Sequence, residues 1–292
     1  MPSLKEVRNR IVSVGSTMQI TSAMKMVSAA KLKRAQDAVT QMRPYANKLK
    51  ELLENVSASV DASDNVYARN TGGKNLLIIA ISSNRGLAGG FNSNIIKKTH
   101  QLIKNEYAGH NITVLSIGKK VQDAFKRTPY GITGSDLPHQ TGNLFEKLTF
   151  ANTSAVAEKI MEAFLTKQFD KVVLVYNQFK NAAVQIPTEE QLLPLIPTKS
   201  AGKTSNTDYI FEPGQETIIN ELIPRSIKTQ FYKAILDSVA SEHGARMTAM
   251  HKATDNAKAM QKELKITYNK ARQAAITKEI LEIVGGAEAL NG

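Results

Sequence analysis

The 292-residue chain contains no cysteine and no tryptophan. Without cysteine there can be neither a disulfide nor a thiolate metal site, which fits a cytoplasmic setting. No apolar run approaches the roughly 20 residues needed to span a bilayer, so no transmembrane segment of its own is expected. The first residues, MPSLKEVRNR, are charged throughout and lack the apolar core of a secretory signal, so no signal peptide is expected. Proline is absent after Pro224. The five histidines (His100, His110, His139, His243 and His251) show no metal-ligand spacing. No serine or carboxylate stands in a recognisable catalytic setting. The expectation is a protein that acts mechanically or by binding, without a catalytic site, cofactor or metal of its own.

What is present is basic charge, unevenly spread. The net charge is +12, of which residues 1–56 carry +6, residues 57–224 carry +2 and residues 225–292 carry +4. Most of the excess lies on the two ends, which points to an acidic partner facing them.

Both ends read as long helices. From Arg225 to Val284 no proline interrupts the chain, and Gly285-Gly286 follows where a helix cap is expected. Met247, Met250, Thr254, Ala257, Gln261, Leu264, Tyr268, Ala271 and Ala275 recur at spacings of three and four. They form a narrow stripe of the kind that seals a two-helix seam. The segment would be a rod of roughly 90 Å at 1.5 Å per residue, too long for the inside of an ordinary domain. At the other end Leu4, Val7, Ile11, Val14 and Met18 step in the same way, and Leu32, Ala35, Val39, Met42, Leu49, Leu52, Leu53 and Val56 continue an apolar face. Ser3 with Glu6 makes a capping box. Pro44 is expected to kink or unravel this helix. Met24 and Met26 flank Lys25, so at least one methionine must point away from the seam. The two ends are expected to pair antiparallel.

The middle has another period. NLLIIAIS (75–82), NITVLSI (111–117) and KVVLVY (171–176) are short apolar runs typical of strands buried on both faces. Helical patterns fall between them at Asn92–Tyr107, Lys119–Arg127 and Thr153–Phe169. This alternation predicts a mostly parallel sheet with helical crossovers. Asn181–Pro187 and Gln191–Ile196 add one or two edge strands, and Gln215–Leu222 a short helix. The expected division is an N-terminal arm over 1–59, an α/β domain over 75–197 and a C-terminal arm over 214–292. Residues 60–74 serve as linker and Thr198–Asp208 as a polar loop.

Two glycine motifs invite a nucleotide reading and fail it. Gly86-Leu87-Ala88-Gly89-Gly90 follows the first strand, but its spacing is not G-x-G-x-x-G, and no acidic residue follows the second strand. Gly202-Lys203-Thr204 ends like a phosphate loop, but Pro197 stands at the position of the required first glycine.

ITSAMKMVSAAKLKRAQ (20–36), SSNRGLAGGFN (82–92), SEHGARMTAMHKATDNA (241–257) and YNKARQAAITKEILEIVGGAEAL (268–290) closely resemble the gamma-subunit family of the F-type ATP synthases, in matching order and over essentially the whole chain. Asn84 and Ala88 depart from the family's usual Asp and Cys. The resemblance implies an antiparallel coiled coil of both termini carrying a Rossmann-like α/β domain. It implies a central-stalk rotor at the cytoplasmic face of a bacterial plasma membrane. The implied partners are the alpha and beta subunits, the epsilon subunit and the c-subunit ring, with chemistry left to beta and protons turning the ring. The residues implied at partner interfaces are Met24, Lys25, Arg85, Arg246, Gln273, Thr277, Glu279 and Glu282, with Tyr209 and Phe211 near epsilon and the c ring. Lys25 and Arg246 are expected to be exposed, so that Arg246→Glu would cost little in folding. Setting Met24 level with Arg246 makes paired residue numbers sum to about 270, with Val14 facing Ala257 and the last arm running on alone past residue 268. A basic coiled coil that binds nucleic acid is the alternative. It fits less well because the arms mix acids with their bases, and nucleic acid is not expected as a partner. A nucleotide-dependent α/β enzyme is disfavoured by the two failed motifs.

Overall fold

The continuous apolar strands have a simple cause: both faces of one sheet are covered. In the computed structural model, which describes residues 3–57, 66–69, 72–132, 137–138, 141–195 and 215–291, the elements run α1 (Leu4–Ser57), β1 (Asn75–Ile81), α2 (Phe91–Gln101, extended by a π turn, Leu102–Glu106), β2 (Asn111–Ile117), α3 (Lys119–Phe125), α4 (Phe150–Leu165), β3 (Lys171–Phe179), β4 (Gln185–Leu193) and α5 (Gln215–Asn291). The strand order is β2-β1-β3-β4; β1 pairs parallel with β2 and β3, and β4 closes the edge antiparallel to β3. Successive residues of a strand point to opposite faces. Thus Leu77, Ile79 and Ile81 enter a core with Ile160 and Phe164 of α4 and Ile227, Phe231 and Ile235 of α5. Leu76, Ile78 and Ala80 enter a second core with Ile95 and Leu102 on one helix and Val121 and Phe125 on the next. The two expected edge segments form the single strand β4, with Pro187 in its antiparallel pairing to Asn177.

Packing divides the chain into two units, residues 1–28 with 247–292, and residues 29–246. In the first, the terminal helices pair. Thr254 Oγ1 lies 2.8 Å from Thr21 Oγ1, and a Cβ on Gly15 would lie 2.9 Å from Gln261 Nε2. Numbers therefore run in opposite directions, and the pairing is antiparallel. Val7, Thr21, Met250 and Ala257 are buried. Ser3 Oγ accepts from the Glu6 amide at 3.3 Å, half of the expected capping box. Met26 is 65% exposed, the methionine that faces away.

Register and helix ends differ from the sequence expectation. The pairs Thr21–Thr254 and Gly15–Gln261 sum to 275 and 276, not 270. The seam is set by a polar layer of two threonines and by the gap at Gly15, whereas a repeating apolar stripe alone fits several registers. The new register puts Leu4 level with residue 271 or 272, and residues 272–287 are all exposed. The solitary tip is thus present, including Ile276, Ile280, Leu281, Ile283 and Val284. A chain carrying Thr21→Cys and Thr254→Cys is expected to close a disulfide on mild oxidation, because bridged cysteines need Cα atoms within about 7 Å. The pair Val14→Cys with Ala257→Cys is expected to stay open, as read by non-reducing electrophoresis.

Helix α1 passes through Pro44, and α5 passes through Pro224 to include what had looked like a separate short helix. Pro44 removes one intrahelical bond, to the carbonyl of Thr40, whose residue is exposed to water. Gly285 and Gly286 continue the helix rather than ending it. An exposed glycine costs a helix only about 1 kcal/mol relative to alanine, not enough to terminate it.

Part of the expected linker is tied down. Arg69 donates to the Phe164 carbonyl at 2.8 Å and stacks over its ring, and the Tyr67 carbonyl accepts from the Leu195 amide at 2.9 Å. Residues 60–65 and 70–71 of that linker, the loop Thr198–Asp208 and Gly202-Lys203-Thr204 lie outside the described residues.

Candidate functional site

Strand β1 delivers the chain to the turn Ser82–Gly90 at the carboxyl end of the parallel strands, where doubly wound sheets open a ligand crevice. Here the protein's own groups fill it. Asn84 Nδ2 donates to the Gly142 carbonyl at 2.8 Å, and its Oδ1 accepts from the Lys119 amide at 3.1 Å. The Ser83 amide donates to Asn92 Oδ1 at 3.0 Å, and Ser83 Oγ to the Arg85 carbonyl at 2.6 Å. Asn177 Nδ2 donates to the Phe91 carbonyl at 3.1 Å, and Ser241 Oγ to the Asn177 carbonyl at 2.9 Å. The amides of Lys120 and Val121 are taken by Ser83 O and Ser82 Oγ. A phosphate site needs such amides free to point at the anion. Gly118, at φ +99°, allows this closure, since a Cβ there would fall on the Ser82 carbonyl.

Helix α5 supplies the charge behind the turn. Arg246 is only 8% exposed. Its Nη1 donates to Glu242 at 2.6 Å, and its Nη2 reaches the carbonyls of Arg85 at 3.3 Å and Gly86 at 3.4 Å. Burial raises the Glu242 carboxyl above its usual range, against the pull of Arg246, Lys31 and Arg85. His243 is pushed down to about 4 by burial, then by Arg246 and Lys31, so it is neutral at physiological pH. Gly244 lets α5 approach the β3–β4 hairpin, because a Cβ there would lie 3.1 Å from the Ala182 carbonyl oxygen.

The expectation of an exposed Arg246 is therefore overturned. A helical arginine looks solvent-facing in sequence, but here two carbonyls some 160 residues away hold it. Arg246 and Arg85 are brought together, with the Arg85 side chain exposed. Met24 and Lys25 are half-buried on α1. Gln273, Thr277, Glu279 and Glu282 all lie exposed on the solitary tip; Thr277 Oγ1 donates to the Gln273 carbonyl at 3.0 Å, and Glu282 pairs with Lys278 at 3.5 Å. Tyr209 and Phe211 lie outside the described residues. Sequence reasoning passed over Glu242, although its position four residues before Arg246 was a legible ion-pair spacing. It also passed over Leu87 and Gly118, whose backbone conformations leave no such signal.

Earlier on α5, Asp237 is 2% exposed and its Oδ1 has no hydrogen-bond partner. Burial raises its carboxyl above the ordinary 3.8; Lys233 and Arg43 pull it down and Glu190 pushes it up. A carboxyl raised on folding penalises the folded state above its folded pKa, and the penalty vanishes below the unfolded value. Asp237→Asn is therefore expected to stabilise the full chain at pH 7 by about 1 kcal/mol, the low end for an unsatisfied buried polar group. The gain should fade as pH falls toward the ordinary carboxyl value. Urea denaturation at pH 7 and near pH 4 measures both.

Among the described residues no group of three or more His, Asp or Glu is placed to hold a metal, and no helix is long and apolar enough to cross a membrane. The described residues thus give one unit of paired terminal helices with a bare helical tip and a second, α/β unit with a filled crevice.

The comparisons agree. The family model described as ATP synthase matches residues 3–290. The ATP synthase gamma chain of Flavobacterium johnsoniae is 59% identical, covering all of both chains. The central stalk and c ring of the Tetrahymena thermophila mitochondrial ATP synthase contains a chain that is 25% identical, with TM-score 0.57, covering 80% of this chain and 99% of that one. A chain of the Euglena gracilis mitochondrial ATP synthase shares the fold at TM-score 0.68 and 23% identity, covering 98% of this chain and 94% of that one. The chain belongs to the ATP synthase gamma-chain family, whose place is the central stalk. The nucleic-acid reading finds no support among these relatives.

Proposed function

We propose that this chain is the rotor shaft of a proton-translocating F-type ATP synthase, coupling rotation of a c-subunit ring to the catalytic beta subunits. The observation that carries the reading is the tip of α5. Residues 272–287 run on as a single exposed helix bearing five large apolar side chains, a surface that calls for an apolar sleeve. A ring of alternating alpha and beta subunits supplies that sleeve. Gln273, Thr277, Glu279 and Glu282 then face the ring from the tip, Met24 and Lys25 from α1, and Arg85 from the turn after β1. Tyr209 and Phe211 belong to the foot, with the epsilon subunit and the c ring. The chain itself is non-catalytic and contributes geometry; the filled crevice behind Asn84 and Ser83 supports this. As a peripheral subunit it works at the cytoplasmic face of a bacterial plasma membrane.

Purification of the tagged chain from detergent-solubilised membranes tests the reading. Chains of alpha and beta type should accompany it with ATPase activity, and the chain separated from them should neither bind nor hydrolyse ATP. A chain that purifies alone, or with nucleic acid, contradicts it.

A further inference from the structure

A cavity of about 130 Å³ lies beside β2, an edge strand of the sheet, and the shaft role makes no use of it. Its lining includes Val114 and Ser116 of β2, Phe125 and Lys126 at the end of α3, and Thr128 and Ile132 of the chain that follows. The backbone around it is braced rather than collapsed inward. The Thr128 amide and hydroxyl both donate to the Phe125 carbonyl, at 3.0 and 2.8 Å, which turns the chain off the end of α3. The Gly131 amide donates to the Thr128 carbonyl at 3.2 Å, and the Val114 amide to the Tyr130 carbonyl at 2.8 Å, so the chain crosses the edge of β2 on one parallel bridge. Farther along the same strand the Thr141 hydroxyl donates to the Ser116 carbonyl at 2.6 Å. Val114 and Phe125 are each 1% exposed, whereas Lys126 is exposed and forms no ion pair among the described residues.

We propose that this cavity binds one small aromatic carboxylate, with its ring inside and its acid group at Lys126. The volume selects the size. An apolar cavity of about 150 Å³ takes up benzene, so a single six-membered ring fits here and a fused pair of rings does not. The lining selects the shape. The Phe125 ring is held in place by His100, stacked on it at 4.8 Å, and a fixed aromatic wall favours a second ring offset or edge-on to it. A rigid ring also loses less freedom on binding than an alkyl chain of the same volume. Charge selects the acid. Lys126 has no carboxylate of its own, and Arg127, also exposed, follows it, so an anion is drawn to the rim and an amine is repelled. The site stands independently of the shaft reading, since every group in it belongs to the α/β unit.

The test titrates the full chain with para-fluorobenzoate and, separately, with fluorobenzene, and follows each probe by its fluorine NMR line width. Wild type is expected to bind para-fluorobenzoate saturably, one molecule per chain. Lys126→Gln, a change at an exposed side chain, should weaken that binding about fivefold, as expected for a single solvent-facing ion pair. Ser116→Leu fills the space with an isobutyl group while leaving the main-chain carbonyl that Thr141 uses, and should abolish binding, with folding checked by urea denaturation. If that variant does not fold, Lys126→Gln and the comparison of the two probes still decide. Equal binding of fluorobenzene and para-fluorobenzoate, unchanged in Lys126→Gln, would overturn the assignment of an acid. Absence of saturation in wild type, or undiminished binding in a folded Ser116→Leu chain, would overturn the site.

Discussion

Gly118→Ala is expected to be among the most damaging single changes in the chain, costing about 4 kcal/mol or more of stability. Two effects act together. The residue sits at φ +99° and ψ 146°, a region essentially closed to residues with a Cβ, and the added methyl would land on the Ser82 carbonyl, which is backbone and cannot swing away. The approach cannot relax without loss elsewhere. The Ser82 amide donates to the Ile117 carbonyl at 2.7 Å, Ser82 Oγ accepts from the Val121 amide at 3.0 Å, and the Lys120 amide donates to the Ser83 carbonyl at 3.2 Å. These bonds join the ends of β1 and β2 to the start of α3. Urea denaturation of the full chain is the measurement, and a loss below about 1 kcal/mol would mean that the two strand ends do not meet as described.

Arg246→Met should cost about 3–5 kcal/mol, the range for removing one partner of a buried pair. The side chains of Arg246 and Glu242 are only 10% and 12% exposed, so the carboxylate is left without its cation and the carbonyls of Arg85 and Gly86 lose their donor. The sign of the pH dependence follows. Arg246 holds the Glu242 carboxyl down against burial, so its removal raises that group further. Below the unfolded carboxyl value the group is neutral in both states, and the deficit of the variant should shrink there. Glu242→Gln in the same chain should recover part of the loss at pH 7. Arg246→Glu, which the sequence suggested would be mild, should be worse than Arg246→Met. Equal stability of wild type and Arg246→Met at pH 7 would remove the buried pair from the account.

The fold was legible where periodicity reports burial. NLLIIAI is unbroken because Leu77 and Ile79 serve one core while Leu76 and Ile78 serve the other, so no position is left for a polar residue. The stripes on the terminal helices likewise announced their pairing and the solitary tip. What escaped depends on contacts between distant residues. The seam is locked by Thr21 against Thr254 and by the space at Gly15, and neither threonine stands out among apolar neighbours in sequence. Pro44, Pro224 and the Gly285-Gly286 pair carry strong local signals against helix, and the long helices override them. Of the candidate site, the tip residues Gln273, Thr277, Glu279 and Glu282 stand exposed. Arg246 lies inside instead, because its role was fixed by a turn that no helical pattern could reveal.

Torque transmission is the central claim, and rotation measures it directly. The chain has no native cysteine, so Lys104→Cys on the exposed surface of the α/β body offers a single attachment point for a marker. With the alpha and beta chains of the complex fixed to a surface, ATP should drive the marker around continuously in one direction, and rotation should stop when ATP is removed. A complex that hydrolyses ATP at its full rate while the marker stays still would contradict the account.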